Sequence, residues 1–146
     1  MLSWLKAKLQ IAHELSPTDW LRLGEAWLTL LWFYVAVRTT SFEKLNISVA
    51  IKPNAVKTSE FDFALDLHRL VHLASRLHLL SMTCLPRSFT LSRMLNRRGI
   101  PTQVQIGATK TVQGIQAHAW LEVNGQQVGE PEDVPERFQK FDLGGR

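Results

Sequence analysis

Apolar and polar positions alternate with one period in the first two thirds of the chain and with another in the last third. The longest apolar run, Ala26 to Val37 (AWLTLLWFYVAV), is twelve residues and predicts a helix that is either buried core or a face for a membrane or partner. Its start is marked upstream by Ser16 as N-cap, Pro17 at the first helical position and Asp19 in the first turn, with Leu15 and Trp20 placed for a hydrophobic staple. Trp27, Leu31 and Tyr34 recur on one face while Leu30, Phe33 and Val37 define a neighbouring one. Together these exceed a single core-facing stripe, so apolar surface is left over for a second contact. A second helix is predicted over 58–79, where Phe61, Leu65, Leu67, Val71 and Leu73 give a broad apolar face. Between the two, 39–57 is polar, carries Pro53 and Asn54, and reads as a connecting loop. A third helix is predicted over 86–98: Phe89, Leu91, Met94 and Leu95 recur at helical spacing, basic residues crowd the last turn, and Gly99 closes it before Pro101.

The period then changes. "TQVQIG" (102–107) and "QAHAWLEV" (116–123) are strand-like, and "NGQQVGEP" (124–131) supplies a turn and a return strand. Helices followed by an antiparallel sheet predict an α+β fold. An amino-terminal helical region over 1–57 and a core over 58–146 are expected to form one compact unit.

Composition narrows the function classes. At 146 residues, 45% apolar and 21% charged, the chain fits one globular domain. The formal charge of +4 comes from scattered Lys and Arg, with only Arg97 and Arg98 adjacent, so nucleic acid is not expected as a partner. The apolar run falls short of the roughly twenty residues that cross a bilayer, so a membrane partner is not expected. Residues 1–17 interleave Lys6, Lys8 and His13 with apolar positions, unlike a signal peptide, and a cytoplasmic location is expected.

The candidate chemistry centres on the single cysteine, Cys84, in "SMTCLPRSF". One reading is a small buried hydrophobe. The other is a nucleophile, because a helix start offers unpaired N–H groups and a dipole that favour the thiolate. Downstream stand His118 in "QAHAWLEV" and then Glu130; a thiol, an imidazole and a carboxylate are the parts of a cysteine-hydrolase triad. The turn decides whether the acid reaches the histidine. A two-residue loop at Asn124-Gly125 would pair Ala119 with Glu130 and point the carboxylate away. A three-residue loop, Val123-Asn124-Gly125, would pair Glu122 with Gln126 and set His118 opposite Glu130, and this is the expected turn, with Asp133 as the rival acid. His68 and His72 in "HRLVH" have the spacing of a zincin motif, but Arg69 occupies the place of its glutamate and no third ligand is evident, so no metal is expected.

The combination of "TCLPRSFTLSRMLNRRGIPTQVQIGATK" and "AHAWLEVNGQQVGEPEDVPERF" resembles the transglutaminase-like cysteine proteases of lasso-peptide biosynthesis, the leader peptidases in their stand-alone form. The similarity covers roughly 65–141 and is looser over the apolar helix at 20–37. It implies a transglutaminase-like, papain-like core over 58–146, with Cys84 as nucleophile and His118 as base. The family's third member is usually aspartate where this chain has Glu130. The implied reaction is removal of the leader from a ribosomally made precursor peptide, with no metal or cofactor. Fused members carry a winged-helix leader-binding domain for which 146 residues leave no room, so a small leader-binding partner protein is expected. The resemblance also implies work beside an ATP-dependent lasso cyclase, for which the apolar helix would be a docking surface. The same scaffold serves acyl transfer to amines in transglutaminases and arylamine acetyltransferases. A non-catalytic peptide-binding module, with Cys84 merely buried, is the third class.

Overall fold

A computed structural model describes residues 14–49 and 57–141, in which the long helices pack against one face of a four-stranded antiparallel sheet, an α+β fold. Helix α1 (Pro17–Thr39) begins where the sequence places it. The Ser16 hydroxyl accepts the Asp19 amide at 3.2 Å, and the Asp19 carboxylate accepts the Ser16 amide at 3.1 Å, a reciprocal cap around Pro17. Its buried stripe is Leu23, Ala26, Leu30 and Phe33. Leu28, Trp32 and Val35 point outward, so the surplus apolar face runs through Trp32. Tyr34 is half-buried, with the Arg38 guanidinium 3.5 Å from its ring centroid.

The expected loop at 39–57 instead contains a second helix, α2 (Phe42–Val49). Thr40 turns extended and ends α1, and the Leu45 amide bonds to the Ser41 carbonyl at 3.2 Å. Phe42 and Leu45 of its first turn face the core. Pro53 and Asn54 lie outside the described residues, as do Lys6, Lys8 and His13.

Helix α3 (Thr58–Leu77) packs along α1, and α4 (Cys84–Asn96) sits among α1, α2, α3 and the sheet. That central position explains why α4 buries Ser88, Thr90 and Ser92 along with Phe89, Leu91, Met94 and Leu95. It starts two residues earlier than the apolar spacing suggests, because Pro86 fits within the first turn. Gly99, at φ +80°, closes it while the Ile100 amide reaches back to the Leu95 carbonyl at 3.1 Å. Arg97 and Arg98 both meet Glu25 of α1, at 3.6 and 2.7 Å, so this basic pair fastens the two helices together.

Strands β1 (Gln103–Thr111) and β2 (Gly114–Val123) form a long hairpin, flanked by β3 (Gln126–Gln127) on one side and β4 (Gln139–Lys140) on the other. A short helix, α5 (Val134–Arg137), precedes β4. Val104, Leu121, Val123 and Val128 join the helical core, while Trp120 packs in a second cluster with Val134 and Phe138. Buried Glu122 is satisfied by Trp120 Nε1 at 3.0 Å, Gln105 Nε2 at 3.2 Å and Lys140 Nζ at 2.7 Å, which straps the carboxy-terminal segment to the sheet.

The β2–β3 turn differs from the expected three-residue loop. Val123 pairs with Gln126 and Glu122 with Gln127, so Asn124 (φ 53°) and Gly125 (φ 77°) alone make the turn. Two left-handed residues give a type I′ connection, whose twist matches that of the flanking strands.

Candidate active site

Cys84 is the first residue of α4 and half-buried, and the preceding N-cap, Thr83, makes no side-chain cap bond. One turn later the Ser88 hydroxyl donates to the Ala119 carbonyl at 3.2 Å. Residues four apart share a helix face, so this bond draws the Cys84 face of α4 towards the strand position next to His118. Cys84, His118 and Glu130 all line one cleft of about 200 Å³.

Within the cleft, His118 Nε2 lies 3.2 Å from Glu130 Oε2. Its ring packs beside Phe138, at 5.2 Å between centroids, and beside Trp120 at 6.1 Å. Gly107 pairs with His118 across the hairpin, and a Cβ there would lie 2.8 Å from the Phe138 Cβ and 3.0 Å from Trp120 Cη2. The glycine thus lets the aromatic pair close around His118. A neutral imidazole that donates from Nε2 to a carboxylate keeps Nδ1 as its free acceptor.

Glu130 arrives by a route other than strand register. The Val128 amide still bonds to the Leu121 carbonyl at 2.9 Å, and the ladder continued from there would set Glu130 opposite Ala119. Gly129 takes φ +70° and turns the chain out of the ladder, and this swings Glu130 to His118. Asp133, the rival acid, pairs with Arg137 at 3.5 Å on an exposed surface.

His68 and His72 of α3, together with Arg87 of α4, line the same cleft. The two imidazoles pack at 4.5 Å between centroids. Burial first, then the positive charges nearby, pushes His68 down to about 4. His72 is lowered for the same leading reason and by Arg87, against a smaller upward pull from Glu130. Both are therefore neutral at neutral pH. Among the described residues no three metal-ligating side chains gather. The Arg87 Nε donates to the Thr83 carbonyl at 3.2 Å, which braces the start of α4. The place of His68, His72 and Arg87 in this cleft was not readable from sequence: their spacing shows a helix face, but not what that face meets.

Residues 27–141 match the transglutaminase-like superfamily. No curated protein and no solved structure matches the chain. No helix among the described residues is long and apolar enough to cross a membrane.

Proposed function

Because the chain belongs to the transglutaminase-like superfamily, we propose that it is a cysteine peptidase that removes the leader from a ribosomally made lasso-peptide precursor. The observation that carries this reading is that a helix-start cysteine and a histidine lying 3.2 Å from a carboxylate line one cleft. In the reaction, His118 Nδ1 takes the proton of Cys84 while Glu130 holds the ring through Nε2. The thiolate attacks the carbonyl that joins leader to core, and free backbone N–H groups at the start of α4 stabilise the oxyanion. His118 then protonates the departing amine of the core peptide, leaving the leader as a thioester on Cys84. Water, deprotonated by His118, releases the leader acid and restores the thiol.

A cleft of about 200 Å³ has room for the residues flanking the scissile bond and little else. A small leader-binding partner protein would hold the rest of the leader. The outward face of α1, with Leu28, Trp32 and Val35, is the surface proposed to receive it. The lasso cyclase is the proposed consumer of the freed core.

The test is mass spectrometry of a precursor peptide incubated with the protein, with and without the leader-binding partner, and with a labelled amine present. A single cut between leader and core, lost in Cys84→Ala, is expected. Incorporation of the amine in place of water would replace hydrolysis with acyl transfer, and no modification in any arm would favour a binding module.

A further inference from the structure

We propose that His68 is a positioning residue for the acid of the site: its ring backs the left-handed turn at Gly129 that carries Glu130 to His118. The proposal rests on reading Cys84, His118 and Glu130 as one catalytic set.

The turn at Gly129 has two requirements. Its φ of +70° favours glycine, and a Cβ built there would land on the Nδ1, Cε1 and Nε2 atoms of the His68 ring. The imidazole therefore occupies the space a side chain at 129 would take. Pressed against the backbone at this point, it keeps the chain from falling back into the ladder that would send Glu130 opposite Ala119. The ring is itself held: it is half-buried on α3 and packed against His72 one turn on. Its low proton affinity, at about 4, keeps it uncharged, so it acts as a plate and does not compete with His118 for the carboxylate. Beyond Glu130, the Gln127 amide nitrogen holds the Pro131 and Glu132 carbonyls at 3.4 and 3.2 Å, which closes the loop from the other side.

The experiment compares His68→Ala, His68→Phe, Gly129→Ala and the double variant His68→Ala with Gly129→Ala, in the full chain. The primary readout is the proton resonance of His118 Nε2–H, which a hydrogen bond to carboxylate moves far downfield. Removing the ring should weaken or abolish that resonance and lower kcat roughly 10- to 100-fold, the range for loss of a supporting partner, with KM within about twofold. A flat ring without titratable nitrogens, in His68→Phe, should preserve both. Gly129→Ala should be damaging in the parent and less so once the ring is gone. If His68→Ala does not fold, Gly129→Ala must by itself remove the resonance. Retention of resonance and kcat in His68→Ala, or loss of both in folded His68→Phe, would overturn the proposal. Failure of the parent to cut any precursor would sink the peptidase reading while the resonance test still decides the role of His68.

Discussion

Glu130 and His118 meet at 3.2 Å although the ladder between β2 and β3, extended, would place Glu130 beside Ala119. The contact is made by leaving the sheet, and a single left-handed glycine does it. A carboxylate fixed by strand pairing would share the twist and breathing of the sheet. One carried on a turn is set by what packs behind the turn, so its geometry answers to α3 as well as to β2.

Substitution of the acid should separate the two carboxylates of this loop. Glu130→Gln is expected to lower kcat by about 10² to 10⁴, as loss of the orienting carboxylate does in other triads, and Glu130→Asp should keep much more. Asp133→Asn should leave turnover within about twofold, since Asp133 is half-exposed and paired with Arg137. Steady-state cleavage of a precursor peptide measures all three. A damaging Asp133→Asn beside a harmless Glu130→Gln would reverse the assignment.

At Cys84, replacement by alanine should abolish cleavage and leave the melting temperature nearly unchanged, because the sulfur is half-buried at a helix start. Thiol alkylation followed by mass spectrometry should label the parent at this one site at neutral pH. Residual turnover in Cys84→Ala within tenfold of the parent would count against covalent catalysis.

How far the sequence revealed this site depended on the range of the interaction. The cap at Ser16 to Asp19 and the glycine stop at Gly99 are local, and both are where the pattern predicts them. Helix α2 leaves a weaker signal: eight residues follow directly on α1 and precede Pro53 and Asn54, which mark the stretch as a loop. The turn after β2 shows the limit most clearly. Asn124-Gly125 is a strong local signal for a two-residue loop, yet by register alone only a three-residue loop brings Glu130 round to His118. The missing information was the bend at Gly129, which depends on an imidazole from a helix some sixty residues earlier and so leaves no local pattern.

Inside α4, Thr90 is fully buried, and its hydroxyl has no hydrogen-bond partner among the described residues. Replacing an unpaired buried hydroxyl by a methyl of the same shape removes a desolvation cost. Thr90→Val is therefore expected to stabilise the fold by about 1 kcal/mol. Urea denaturation reads it as a higher midpoint at unchanged slope. A lower midpoint would mean that the hydroxyl is satisfied in solution by a bound water.

Acid should weaken the fold through His68. Its folded value, about 4, lies below the ordinary 6.5, so the unfolded chain binds the proton more readily. The resulting stability is fully present above about pH 6.5 and is lost as pH falls towards 4; His72, lowered as well, adds in the same direction. Between pH 7 and 5 the urea midpoint of the parent should drop more than that of His68→Phe. Parallel losses in the two proteins would show that the acid sensitivity arises elsewhere.

The outward face of α1 gives the last prediction. Trp32 is 53% exposed and Leu28 65%, in a groove of about 670 Å³ that Leu31, Val35 and Lys44 also line. Tyr34 lies half-buried under Arg38, so a charge there would disturb folding as well as any contact. Trp32 is the more exposed of these two aromatics; its ring meets the edge of Phe33 at 4.6 Å and the Arg93 guanidinium at 5.5 Å, and Trp32→Glu removes the apolar surface while leaving Arg93 a partner of opposite charge. Exposed tryptophans are frequent anchors of interfaces, and loss of one typically costs about 2 kcal/mol or more. Trp32→Glu should therefore weaken binding of the proposed leader-binding partner about thirtyfold or more in titration calorimetry, with a melting temperature within a few degrees of the parent. Cleavage of a short peptide spanning the scissile bond, assayed without the partner, should be unchanged. Full partner affinity together with a large fall in melting temperature would mean that Trp32 serves the fold and that the partner binds elsewhere.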